Sequence, residues 1–173
     1  MTIFTIKKAE IKDVKALTEV GKKAFFVPHK DAIPKKIMDT YIQTNFNEEQ
    51  LLSEITNPQF QYHLIYHKQS LAGFSKVIFN QKNEHIASNH VTKLERFYLL
   101  EDFYGLGLGI ELFKFNLELC KKNNQKGIWL YTWTKNYRAL SFYKKVGFQK
   151  IALYDFPISE TETRLNDLLY LKL

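Results

Sequence analysis

Residues 95–109, ERFYLLEDFYGLGLG, carry an apolar strand-like stretch straight into glycines at 105, 107 and 109. Leu108, Leu112, Phe115 and Leu119 then recur at helical spacing, with Phe113, Leu117 and Cys120 widening the stripe. A strand, a glycine turn and a helix in that order leave few folds open. Glycines at 105, 107 and 109 have no side chains to shield the main chain. The amides of Tyr104, Gly105, Leu106, Gly107, Leu108 and Gly109 therefore face outward at the positive end of a helix dipole, a ready anion site. The spacing separates this loop from two common nucleotide sites. A dinucleotide turn reads G-x-G-x-x-G, and Ile110 stands where its third glycine belongs. The Gly-Lys-Ser/Thr ending of a P-loop is absent.

The remaining chain alternates strand and helix patterns. Thr2 to Lys7 alternates as a first strand. Val14, Leu17, Val20, Ala24 and Phe25 give a helix with Asp13 near its start, and Pro28 and Pro34 bracket a loop or helix break. Ile37 to Ile42 reads as a short helix. Asn47 caps the next, with Gln50 at the capping-box position and Asn57-Pro58 as its stop. Phe60–Tyr66 and Leu71–Phe79 are strands joined by a tight turn at 68–70. Residues 80–89 form a polar, mobile excursion, and Leu94–Leu100 is the strand feeding the glycines. Ile128–Trp133 should run parallel to that strand, since a helical crossover joins them. Asn136 caps a last helix that Gly147 closes, and strands 148–154 and 168–173 finish the sheet. An exposed final strand could pair between subunits, so a homodimer is possible. One domain spanning 1–173 is expected.

Charge narrows the ligand. The chain has a formal net charge of +7, and residues 135–150 hold Lys135, Arg138, Lys144, Lys145 and Lys150 without an acid. A nucleic-acid partner and a polyanionic cofactor both fit such a balance. With no zinc-finger spacing and no RNP-like strand, the cofactor is preferred and nucleic acid is not expected. No apolar run approaches the about 20 residues that cross a bilayer, and no apolar region follows the basic start, so neither membrane nor signal peptide is expected. The lone Cys120 forms no internal disulfide and fits a reduced cytoplasm. His63 and His67 share a face, but no third ligand stands near, so no metal is expected.

Together, the strand–glycine–helix unit, the strand WLYTWTKN (129–136) and the pattern N-x-x-A-x-x-F-Y-x-x-x-G-F from Asn136 to Phe148 resemble the GNAT superfamily of acetyl-CoA-dependent N-acetyltransferases. Ala24-Phe25-Phe26, the stretch Met38–Leu51 and Lys135-Asn136 are similar to the PaiA-type spermidine/spermine acetyltransferases within it. The resemblance covers residues 3 to 173. It implies an α/β fold of the mixed α+β kind: a mostly antiparallel sheet, helices on both faces and a splayed parallel strand pair. It also implies acetyl transfer from acetyl-CoA to a primary amine in a ternary complex, without a covalent enzyme intermediate. A polyamine such as spermidine or spermine would be the acceptor.

The same resemblance assigns roles. Amides 104–109 would hold the pyrophosphate, although Tyr104 stands where the superfamily has Arg or Gln. The backbone of Phe97, Tyr98 and Leu99 would pair with pantetheine and offer an N–H to the thioester carbonyl, a preorganised oxyanion donor. Asn136 would approach the pantetheine arm, or serve as a plain helix cap. Tyr143 would protonate the departing thiolate as a general acid, or be a core aromatic. An alkylammonium titrates near ~10.4, so deprotonation needs help. Glu95 is the candidate base, with an ion pair to Lys93 or Arg96 as the plain alternative. Asp155, Glu160, Glu162 and Asp167 could line an acceptor pocket or be an ordinary polar loop. Rival functions are acetylation of a protein N-terminus, a lysine or another small amine, and a catalytically silent acyl-CoA-binding domain.

Overall fold

A computed structural model describes residues 3–173. Strands β1 (Phe4–Lys8), β2 (Phe60–His67), β3 (Ser70–Ile78), β4 (Thr92–Leu99), β5 (Gly127–Trp133), β6 (Gln149–Pro157) and β7 (Thr163–Lys172) form one sheet in the order β1-β2-β3-β4-β5-β7-β6. Helices α1 (Val14–His29), α2 (Lys35–Asn45) and α3 (Glu48–Thr56) follow β1, α4 (Leu108–Lys122) joins β4 to β5, and α5 (Tyr137–Lys145) follows β5. Thr2, expected to open the first strand, lies outside the described residues.

The chain divides into two compact units, residues 1–77 with 96–117, and 78–95 with 118–173. Both β4 and α4 contribute to each unit. In the first unit β1 pairs antiparallel with β2, Phe4 opposite His67 and Lys8 opposite His63. Leu108 and Leu112 of α4 pack there on Ile65 and Ala72, joined by Ile6, Phe97, Leu99 and Phe103. In the second unit β5 pairs antiparallel with β7, and β7 with β6 across a bulge between Lys150 and Ala152.

Several expectations shift. Helix α1 runs through Pro28 to His29, because a proline this close to the end displaces only one hydrogen bond. Asn47 caps α3, its Oδ1 accepting from Gln50 N at 2.8 Å, but the Gln50 amide reaches Glu54 Oε1 at 2.8 Å rather than folding back to complete a capping box. The buried face of α4 centres on Leu108, Leu112, Phe113, Asn116 and Cys120, with Phe115 and Leu119 only half-buried. Asn116 lies inside because Ser75 and the Leu112 carbonyl satisfy its amide, with Nδ2 at 3.0 and 2.8 Å. The 80–89 segment is tied down rather than loose. Gln81 N donates to Val91 O at 2.9 Å, and the Trp129 indole donates to Gln81 O at 2.7 Å. The last strand is not the edge. Antiparallel ladders to β5 and β6 enclose β7, which leaves β6 outermost.

Candidate functional site

The glycine turn lies in the first unit. Gly105 and Gly107 hold φ of +77° and +78°, and a methyl group built on either meets nothing within 4 Å. Glycine is needed there for its left-handed backbone, not to admit a close neighbour. The open space above them is the room that an anion cradle requires. Gly107 also starts α4, its carbonyl accepting from Glu111 N at 3.3 Å. The amides of Leu108, Gly109 and Ile110 therefore have no acceptor within the helix. Leu108 is 1% exposed and pins the turn to the core, whereas Leu106 stands out in solvent. One expected donor is lost: Tyr104 N is already given to Glu101 O at 3.0 Å, closing a short helical turn at Glu101–Phe103. The donor run therefore starts at Gly105, not Tyr104.

Phe97 and Leu99 pack their side chains with Leu108 and Leu112, and Tyr98 presents its ring edge-on to Phe46 and Phe74, at 6.3 and 5.5 Å. These three positions are core by side chain. In the second unit, the parallel register of β4 and β5 comprises Thr92↔Ile128 and Lys93↔Trp129, and both strands run on beyond it. A parallel pair that shares two register positions out of eight- and seven-residue strands is the geometry expected of splayed strands.

Asn136 caps α5, its Oδ1 accepting from Ala139 N at 3.2 Å. Tyr143, on the same helix, is 8% exposed and packs edge-on against Phe142 and Phe148 at 5.6 and 5.5 Å. Burial pushes its phenol well above the ordinary tyrosine value, so the ring keeps its proton. Glu95 takes the plainer of its two roles at rest, with Lys93 Nζ donating to its Oε1 at 3.0 Å. Two of the four later acids are also engaged: Asp167 with Lys150 at 2.7 Å and Glu162 with Arg164 at 3.5 Å. Among the described residues no group of three His, Cys, Asp or Glu could hold a metal ion. His63 is buried against Phe115 on β2, and Cys120 is buried beside Thr92, its thiol pushed up by burial.

The model of the acetyltransferase (GNAT) family matches residues 28–148. The chain belongs to the GNAT acetyltransferase family. As a GNAT protein it is an acetyl-CoA-dependent N-acetyltransferase. It is 27% identical over 162 residues to an uncharacterized N-acetyltransferase of the pepI 3′ region of Lactobacillus delbrueckii subsp. lactis, covering 92% of each chain. Among solved structures it resembles the PaiA N-acetyltransferase of Thermoplasma acidophilum in complex with coenzyme A, at TM-score 0.79 and 22% identity over 99% of each chain. It also resembles the ribosomal-protein-S18-alanine N-acetyltransferase of Escherichia coli, at TM-score 0.71 and 16% identity over 98% of this chain and 94% of that one. At these identities the likeness is one of fold.

Sequence reasoning passed over a buried charge cluster in the first unit of this GNAT chain. Glu54 of α3 pairs with Lys76 at 2.9 Å and lies 3.6 Å from Arg96, and it also accepts from the Tyr62 hydroxyl. Arg96 Nη1 donates to Tyr62 at 2.8 Å, and its guanidinium lies 4.7 Å over Phe46. All three charged residues are less than a tenth exposed. Burial alone would raise the Glu54 carboxyl; the Arg96 charge and hydrogen bonds from Lys76, Tyr62 and Gln50 outweigh it and hold the group below its ordinary value. The only local signal was Lys76 between Phe74 and the apolar Val77-Ile78; Arg96 stands among Lys93 and Glu95 and carried none.

Proposed function

We propose that residues 1–173 act as one domain that transfers the acetyl group of acetyl-CoA to a primary amine, with a polyamine such as spermidine or spermine as the acceptor. The observation that carries the acceptor is an aromatic cluster. Phe25 stacks on Tyr41 at 4.6 Å and tilts against Phe46 at 5.8 Å, and Phe46 meets Tyr98. Three of the residues that resemble the PaiA type, Phe25, Tyr41 and Phe46, thus pack together and end on Tyr98 of β4. The likeness to the Thermoplasma PaiA fold, solved with coenzyme A, supports the acetyl-CoA part of the reading.

The roles follow from the chain's own groups. Acetyl-CoA supplies an activated acyl group and a thiolate that leaves. Amides 105–109 bind the pyrophosphate, because unshielded N–H groups at a helix start favour anions. The backbone of Phe97–Leu99 holds pantetheine and donates to the carbonyl oxygen. Asn136 keeps the start of α5 fixed beside the pantetheine arm. Glu95 takes the proton of the acceptor ammonium, directly or through water, once Lys93 yields its hold. Tyr143 gives its proton to the sulfur, and its burial keeps that proton in place until then. A net charge of +7 opposes a polycation at long range, so local groups must recognise it. The lone buried thiol and the acetyl-CoA requirement fit a cytoplasmic setting, and the outer strand β6 offers an edge for a homodimer.

The test is thiol release from acetyl-CoA with a panel of amines, spermidine and spermine included, across ionic strength. Turnover with polyamines is expected. Turnover with other amines alone would sink the acceptor assignment. No turnover with any amine, with acetyl-CoA still bound, would overturn the primary-amine acceptor.

A further inference from the structure

In the second unit β4 and β5 set a lysine, a carboxylate and two aromatic rings side by side. Lys93 stands opposite Trp129 in the parallel register, and Glu95 and Tyr131 follow two residues along, so all four side chains belong to one face. Lys93 Nζ donates to Glu95 Oε1 at 3.0 Å and lies 5.5 Å from the Trp129 ring centre and 6.0 Å from that of Tyr131. The walls are held from behind. The Trp129 indole donates to Gln81 O at 2.7 Å, and Asn83 Nδ2 donates to the Tyr131 hydroxyl at 3.3 Å. Tyr131 stacks on Tyr154 at 4.3 Å with Phe156 at its edge, 6.4 Å away. The Lys93 and Glu95 side chains are 21% and 27% exposed, so the niche opens to solvent yet screens its charges only in part.

A solvated Lys–Glu pair needs no such walls. A carboxylate beside two fixed ring faces is the chemistry that recognises an alkylammonium, which gains both a charge-assisted hydrogen bond and the ring quadrupoles. The side chain now in place is itself a four-carbon ammonium, an aminobutyl group. We propose that this niche binds an aminobutyl ammonium of the acceptor, and that Lys93 is its resident stand-in, displaced when the acceptor arrives. The inference rests on the reading that the acceptor is an amine, and it names the part of that amine which is recognised. It also supplies the local attraction that a chain of positive net charge needs to hold a polycation. Lys93 then acts as an internal competitor, setting a threshold that amines must exceed.

The experiment is a titration of the full chain with 1,4-diaminobutane in the absence of acetyl-CoA, read by tryptophan fluorescence and calorimetry. Lys93→Ala empties the niche and is expected to bind the diamine at least about tenfold more tightly than the wild type. Lys93→Arg refills it and should bind like the wild type. Adding Glu95→Gln to Lys93→Ala should abolish the gain. Thermal unfolding checks that each variant is folded, and Lys93→Met, which keeps the stem and drops the charge, replaces Lys93→Ala should that variant fail. Equal affinity in the wild type and the emptied variant, or a gain that survives Glu95→Gln, overturns the proposal. Because no acetyl transfer is measured, a failure of polyamine turnover leaves this result standing. Polyamine turnover without the gain sinks the niche alone.

Discussion

Replacing Gly107 with alanine separates backbone conformation from steric room. At φ +78° an L-residue other than glycine is strained by about 1–2 kcal/mol, and here nothing within 4 Å adds to that cost. In a protein of this size about 1 kcal/mol lowers the melting temperature by about 2–4 °C, so Gly107→Ala should lose about 2–8 °C. Gly107→Asn should lose less, because asparagine tolerates the left-handed region. Gly73→Ala is the contrast. Its new methyl would fall on the Tyr98 carbonyl and Leu99, so the backbone itself must move, and the loss should exceed about 4 kcal/mol. Thermal unfolding of the three variants, with coenzyme A affinity by calorimetry, makes the measurement. If the turn is the pyrophosphate cradle, Gly107→Ala weakens coenzyme A binding by more than its small stability loss implies, since the amide directions change. A Gly107→Ala loss as large as that of Gly73→Ala, or no advantage for asparagine, would refute the conformational reasoning. Unchanged coenzyme A affinity would refute the cradle.

Other consequences concern the buried groups. The His63 imidazole, with Nδ1 buried and lacking a hydrogen-bond partner, is lowered to about 4 by burial and the nearby Lys8 charge. The unfolded state therefore binds an extra proton between about pH 4 and 6.5. Stability should be full above that window and fall by about 3 kcal/mol through it, a slope that His63→Phe flattens in acid unfolding titrations. Glu54→Leu leaves Lys76 and Arg96 buried without their carboxylate and should cost about 3–5 kcal/mol in denaturant melts, whereas exposed-pair variants such as Glu118→Gln should cost under about 1 kcal/mol. Tyr143→Phe should lower kcat about 10²-fold or more while acetyl-CoA binding is kept, and equal loss of both would make Tyr143 a packing residue instead. Cys120, buried with its thiol raised, should resist thiol reagents until the protein is unfolded.

The elements of the fold, and the glycine turn among them, were legible locally. Alternation in residues 60–79 fixed two strands, a 3.6-residue period fixed α4, and glycines at 105 and 107 fixed a turn that other residues enter only with strain. Asn47, Asn136 and Gly147 marked helix ends because capping depends on a residue and its next three or four neighbours. The burial of Asn116 was not legible, for the opposite reason. Whether an amide can be buried depends on Ser75, forty-one residues away. The Glu54–Lys76–Arg96 cluster and the placing of the Trp129 ring against Lys93 likewise join residues whose neighbourhood no local pattern encodes. The sequence alone therefore determined which backbone segments are strand, turn and helix, since those preferences arise from sterics within a few residues. Only the tertiary structure decided which amide of the glycine run is already spent, which strand forms the edge, and which charges meet. Those outcomes depend on distances between segments far apart along the chain.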